Sequence, residues 1–281
     1  MKKPQWITVG IAICILSLLF FFGKTVPSKK TFIQQPGSAQ TIQEFSVDSV
    51  LAVAKKQLKP DQVIRLNMLE HSISRGDVKD QQIKVYHQLA HFWSDSASIF
   101  EPYAWYEAEA ARLENSEKSL TFAAHLFLDN LQVESDNRLR KWKALQAMDL
   151  FERSLKINPD NDSSKVGLGA CYLFGNISST PMEGILKIRE VVEKDSNNAY
   201  AQLMLAKGSV MSGQYDKALN RLLTVIRLQN GNVEAILLLA DTYEKTGDNK
   251  NAIRWYQKSL EYVKREDIRA AIGKRIEELN K

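Results

Sequence analysis

Cysteine is scarce in this chain: there are two. Cys14 lies in an apolar N-terminal run and Cys171 in a segment of helical spacing, so no disulfide framework exists. Seven prolines and thirteen glycines are few for 281 residues, which favours helix. Neither sign of charge dominates. The net charge of +5 is too weak to argue for nucleic acid, and no run of lysines and arginines is interleaved with aromatics. Motifs that carry chemistry are missing as well. There is no Gly-rich phosphate loop, GxSxG, CxxC or HExxH. Gly167 and Gly169 sit inside a helical pattern, where they read as packing. His87 and His91 stand at i and i+4, but Gln88 occupies the place where a zinc protease needs glutamate. Glu107, Glu109 and Glu114 share one helix at spacings wrong for an acid/base pair. The sequence therefore assigns no catalytic residue, no metal ligand and no cofactor, and the chain is not expected to be an enzyme.

What is present begins with an apolar stretch. Trp6 to Gly23 is 18 residues without a charge. As a helix it spans about 27 Å, enough for a bilayer. Trp6 and Lys24 mark interface positions. A cleaved signal peptide would want small residues after the apolar run, whereas Lys24 follows at once and Pro27 is close by. Residues 1–23 are therefore expected to be an uncleaved single-pass anchor, with residues 7–22 in the membrane. The basic residues on its two sides nearly balance. A short tail before the anchor favours a cytoplasmic N-terminus with the rest of the chain outside the cytoplasm. Residues 24–45, with Pro27, Pro36, Gly37 and several serines, read as a linker.

Helical periodicity starts at Ser46. Residues 46–76 hold two candidate helices, the second with Asp61 as N-cap and Gly76 as stop. The chain then becomes repetitive. Sliding Ala199–Glu266 against itself by 34 residues aligns Ala206 with Ala240, Gly213 with Gly247, Ala218 with Ala252 and Leu222 with Tyr256. A fixed period of this length signals stacked hairpins rather than a closed globule. Gly213 and Gly247 stand where the first helix must stop and the chain reverse, a place for positive φ. The alanines allow paired helices to approach, and Leu222 and Tyr256 fill the space between neighbouring hairpins.

The unit from Ile236 through Leu239, Ala240, Tyr243, Gly247, Ala252 and Tyr256 to Ser259 resembles the tetratricopeptide repeat, although Lys264 replaces its closing proline. The resemblance implies an all-α fold, a right-handed α-solenoid of helical hairpins. About five units are expected over residues 83–266, the last two at 199–232 and 233–266. Weaker copies run through Leu89, Ala90, Trp93, Ala104 and Ala108. They continue through Leu120, Ala124, Ala147 and Phe151, and then through Leu168, Gly169, Gly184 and Ile188. About 11 extra residues are expected around Asp129 to Arg140. Residues 267–281 put Ile268, Ile272, Ile276 and Leu279 on one face, as a capping helix requires. The runs Tyr103–Glu114 and Pro181–Glu193 are similar to those of membrane-anchored bacterial proteins of this repeat type.

In the family the first helices line a concave face, which implies a protein-binding groove here. Its residues are His91, His125, Leu173, Phe174, Tyr200, Leu203, Lys207, Val210, Met211, Leu237, Asp241 and Glu244. Leu173 to Met211 would form an apolar strip, and such a strip is either a partner site or lies under the N-terminal helices or the insert. The expected function is a membrane-anchored scaffold that binds a protein or peptide in this groove. The alternatives are an accessory subunit of an envelope assembly, secretion or cytochrome-maturation complex, and a metal-dependent enzyme using His87, His91 and His125.

Overall fold

A computed structural model describes residues 46–73, 78–177 and 181–281. The expected anchor and linker, residues 1–45, lie outside the described residues, as does Gly76. None of the described helices is long and apolar enough to cross a membrane.

Thirteen α-helices and no strand occur among the described residues. They are α1 (Val47–Lys55), α2 (Pro60–Ile73), α3 (Lys79–His91), α4 (Phe100–Glu114), α5 (Glu117–Leu131), α6 (Asn137–Ile157) and α7 (Asp162–Phe174). Then follow α8 (Met182–Lys194), α9 (Ala199–Met211), α10 (Tyr215–Leu228), α11 (Val233–Lys245), α12 (Asn249–Ser259) and α13 (Glu266–Leu279). A π-helical turn, Phe92–Ser96, extends α3. Sequential pairs α3–α4 through α11–α12 form five hairpins, and each hairpin packs on the next. Contacts are local along the chain, as expected of a solenoid.

Local chemistry explains the repeat. Asn161, Asn198 and Asn232 each cap a first helix, accepting from the backbone N–H three residues on at 2.8, 3.0 and 2.9 Å. Each satisfies a helix-start donor that would otherwise be orphaned. The ends are as regular. Gly213 and Gly247 have φ of +71° and +80°. The N–H after each glycine bonds back to Ser209 O at 2.8 Å and to Tyr243 O at 3.0 Å, the six-to-one closure of a glycine C-cap.

The core follows the small-residue pattern. Ala104, Ala108, Ala123, Ala124, Ala147, Ala206, Ala218, Ala240 and Ala252 are buried, and Phe127, Phe151, Leu222 and Tyr256 fill the gaps beside them. The α7–α8 pair is closely packed through glycines. A Cβ on Gly169 would come within 2.7 Å of the Gly184 carbonyl, and one on Gly184 within 2.3 Å of the Gly169 carbonyl.

One expectation is corrected. Asp61 is not an N-cap: α2 starts one residue earlier, at Pro60, whose missing N–H costs nothing in a first turn. The extra residues expected around Asp129 to Arg140 fall in the second pair and are mostly helical. They lengthen α5 to 15 and α6 to 21 residues, leaving a turn at 132–136. Asp136 caps α6 by accepting from Arg138 N at 2.7 Å. At the C-terminus, α13 lays Ile268, Ile272, Ile276 and Leu279 against Ala240, Ala252, Tyr256 and Val263.

Candidate functional site

The lengthened α5–α6 hairpin shapes the face built from the first helices. Its turn is held by a buried cation. Lys143, 1% exposed, donates to Glu101 at 2.8 Å, Glu134 at 2.7 Å and Asn130 at 2.5 Å, and its ammonium sits 5.4 Å from the centre of the Phe100 ring. Arg140 Nε donates to the Glu134 carbonyl at 3.0 Å. The turn is thus tied to α4 and to the start of α6, and it projects beside α7 and α9.

From there it reaches across the face. Gln132 accepts from Lys207 of α9 at 2.5 Å, and Lys207 is also ion-paired with Glu234 of α11. Further along, His125 of α5 meets Tyr200 of α9 edge-on at 5.5 Å, and its Nε2 lies 2.9 Å from the Ser163 hydroxyl of α7. α5 and α9 therefore touch over α7, because α7 carries Ser163, Val166 and Ala170 there, the last two fully buried. Burial depresses the His125 pKa, and the Asp129 charge opposes it. Burial also pushes the Tyr200 phenol far up.

The strip expected from the sequence is consequently divided. Leu203 is buried beneath this contact, and Tyr200 and Leu173 are largely taken up by packing. Past the contact the face opens into a pocket of about 270 Å³. Phe174, Val210, Met211 and Leu238 supply its apolar surface, Leu131, Gln132 and Arg140 come from the lengthened hairpin, and Lys207 closes one side. Met211 is 66% exposed at its mouth.

The other candidates lie apart. Leu237 packs into the C-terminal core with Val233 and Ile268. Asp241 and Glu244 both accept from the Tyr256 hydroxyl, and Glu244 is also gripped by Arg275 of α13. Both carboxylates are thus engaged within the fold. His91 is exposed beside Asp95. His87 sits between Glu107 at 3.1 Å and Glu114 at 3.2 Å. Burial works against its charged ring, but the Glu114 hydrogen bond and the Glu107 charge outweigh it and raise its pKa. The three histidines thus serve three separate settings. Among the described residues no group of three His, Cys, Asp or Glu could hold a metal ion.

Sequence reasoning missed Phe122, which is 54% exposed on α5, and Arg140. Thr121 of α5 joins Ser154 and Ser164 in a hydroxyl knot at 2.9 and 3.0 Å. Lys118, Phe122 and Asp129 are the exposed residues of α5.

Residues 209–274 match the tetratricopeptide repeat family. They run from the end of α9 into α13. Comparison with curated proteins gives no match. Among solved structures, a tetratricopeptide repeat protein from Parabacteroides merdae is 15% identical over 82% of this chain and 84% of its own, with a TM-score of 0.52. TTC0263, a thermophilic tetratricopeptide repeat protein from Thermus thermophilus, is 15% identical over 70% of this chain and 98% of its own, also at 0.52. At such identities the likeness is one of fold. The stacked hairpins leave the α7–α9 pocket as an opening on the face built from the first helices.

Proposed function

We propose that this chain is a membrane-tethered adaptor that seats a segment of a partner protein in the pocket between α7, α9 and the α5–α6 turn. One observation carries the reading. Phe174, Val210, Met211 and Leu238 gather apolar surface around a concavity on the first-helix face, with Met211 66% exposed at its mouth. The stacked hairpins supply a rigid wall, so binding costs the adaptor little ordering. The tether rests on the uncharged run Trp6–Gly23, and placement of the repeats outside the cytoplasm on the short tail before it.

The test places a photocrosslinker at Met211 in the full chain, expressed in its native cell. A discrete adduct in the membrane fraction is expected, and Phe174→Asp should abolish it while leaving helicity unchanged. A crosslinker at Leu186, exposed on α8 and away from the pocket, serves as control. If position 186 gives the same adduct and Phe174→Asp leaves it untouched, the pocket is not the docking site.

A further inference from the structure

Arg140 separates this pocket from a merely apolar one. It lines the cavity, half-buried, and no carboxylate lies within ion-pair distance of it among the described residues. Its Nε and Nη2 are spent on the neutral Glu134 carbonyl. The other pocket cation, Lys207, already has Gln132 and Glu234. A guanidinium withdrawn from water without a counterion is the place where an added carboxylate gains most, since hydrogen bonds between charged partners are shorter and stronger than neutral ones. With Nε–H and one Nη2–H engaged, Arg140 keeps its end-on edge free, one N–H each from Nη1 and Nη2, which a carboxylate can meet.

We infer that the segment taken by the pocket carries an aspartate or glutamate side chain one or two residues from a bulky apolar side chain. The carboxylate meets the free end-on edge of Arg140, and the apolar group rests on Phe174, Val210 and Met211. This rests on the pocket being the partner site. The source is a side chain within the segment, because among the described residues no second unpaired cation lines the cavity for a chain terminus.

The probe is a library of random twelve-residue peptides displayed without a free C-terminus and selected on the full chain in detergent. Selected sequences should pair an acidic residue with a nearby Leu, Ile, Met or Phe. As amidated synthetic peptides followed by fluorescence anisotropy, their Glu→Gln versions should bind about tenfold more weakly. Arg140→Gln should weaken the acidic peptide by about the same factor and leave the Gln peptide unmoved, a coupling that general misfolding would not give. Arg140→Glu should select Lys- or Arg-bearing peptides instead. Absence of acidic enrichment, or a coupling under about twofold, overturns the inference, as does selection only from a second library with free C-termini. If Phe174→Asp abolishes binding whatever the peptide charge, the pocket assignment survives and the Arg140 role alone falls. If Phe174→Asp and Met211→Asp both bind as wild type, the pocket assignment itself falls.

Discussion

Lys143 gives the most direct check on how the site is held. Its ammonium is out of water and faces Glu101, Glu134 and Asn130. Lys143→Met keeps most of the aliphatic volume, so little cavity cost arises, and it removes the cation alone. Stranding a fully buried partner costs roughly 3–5 kcal/mol. Here the two carboxylates retain 14% and 23% of their side-chain exposure, so part of their hydration survives. The expected loss is therefore nearer 2–3 kcal/mol. For a domain of this size that is a fall of about 5–10 °C in Tm, read by circular dichroism at one scan rate. Solenoids open locally, so amide exchange should also rise across the 132–136 turn and the start of α6 before it rises elsewhere. Adding Glu101→Gln and Glu134→Gln to the Met variant should recover most of the loss, because the penalty comes from the stranded charges. A Met variant that melts within about a degree of wild type with unchanged exchange would refute the buried-cation argument.

Other consequences are simpler to test. Gly213→Ala and Gly247→Ala should each cost about 1–2 kcal/mol in urea titrations, because a Cβ is strained at positive φ although nothing crowds it there. Gly169→Ala should cost more, since its Cβ meets the Gly184 carbonyl and the Ile188 side chain, and the α7–α8 pair must part. His87 and His125 should show opposite pH dependences of stability. The folded pKa of His87 is raised, so its contribution is full below its ordinary value near 6.5 and is lost as pH rises through the folded value. That of His125 is lowered, so the stability it protects is present above about 6.5 and falls as pH drops below it. Melts of His87→Gln and His125→Gln from pH 5 to 8 should separate the two slopes. In the folded protein Cys171 should resist thiol reagents, because burial pushes its pKa far up.

The sequence on its own determined the periodic part of this protein. The 34-residue register of alanines, glycines and large core residues reflects contacts between neighbours, which a solenoid repeats at fixed spacing. Hence Gly213, Gly247, Ala206, Ala240 and the sealing face of α13 were readable without coordinates. The pocket was readable only in part. Phe174, Lys207, Val210 and Met211 follow from repeat offsets and do converge on it. Arg140, Gln132 and Leu131 come from the one aperiodic segment, for which an offset has no meaning. Whether the face is open was also a matter of tertiary structure. The meeting of His125 with Tyr200 over a small-residue stretch of α7 joins units two repeats apart, and it is what buries Leu203 while leaving Met211 in solvent.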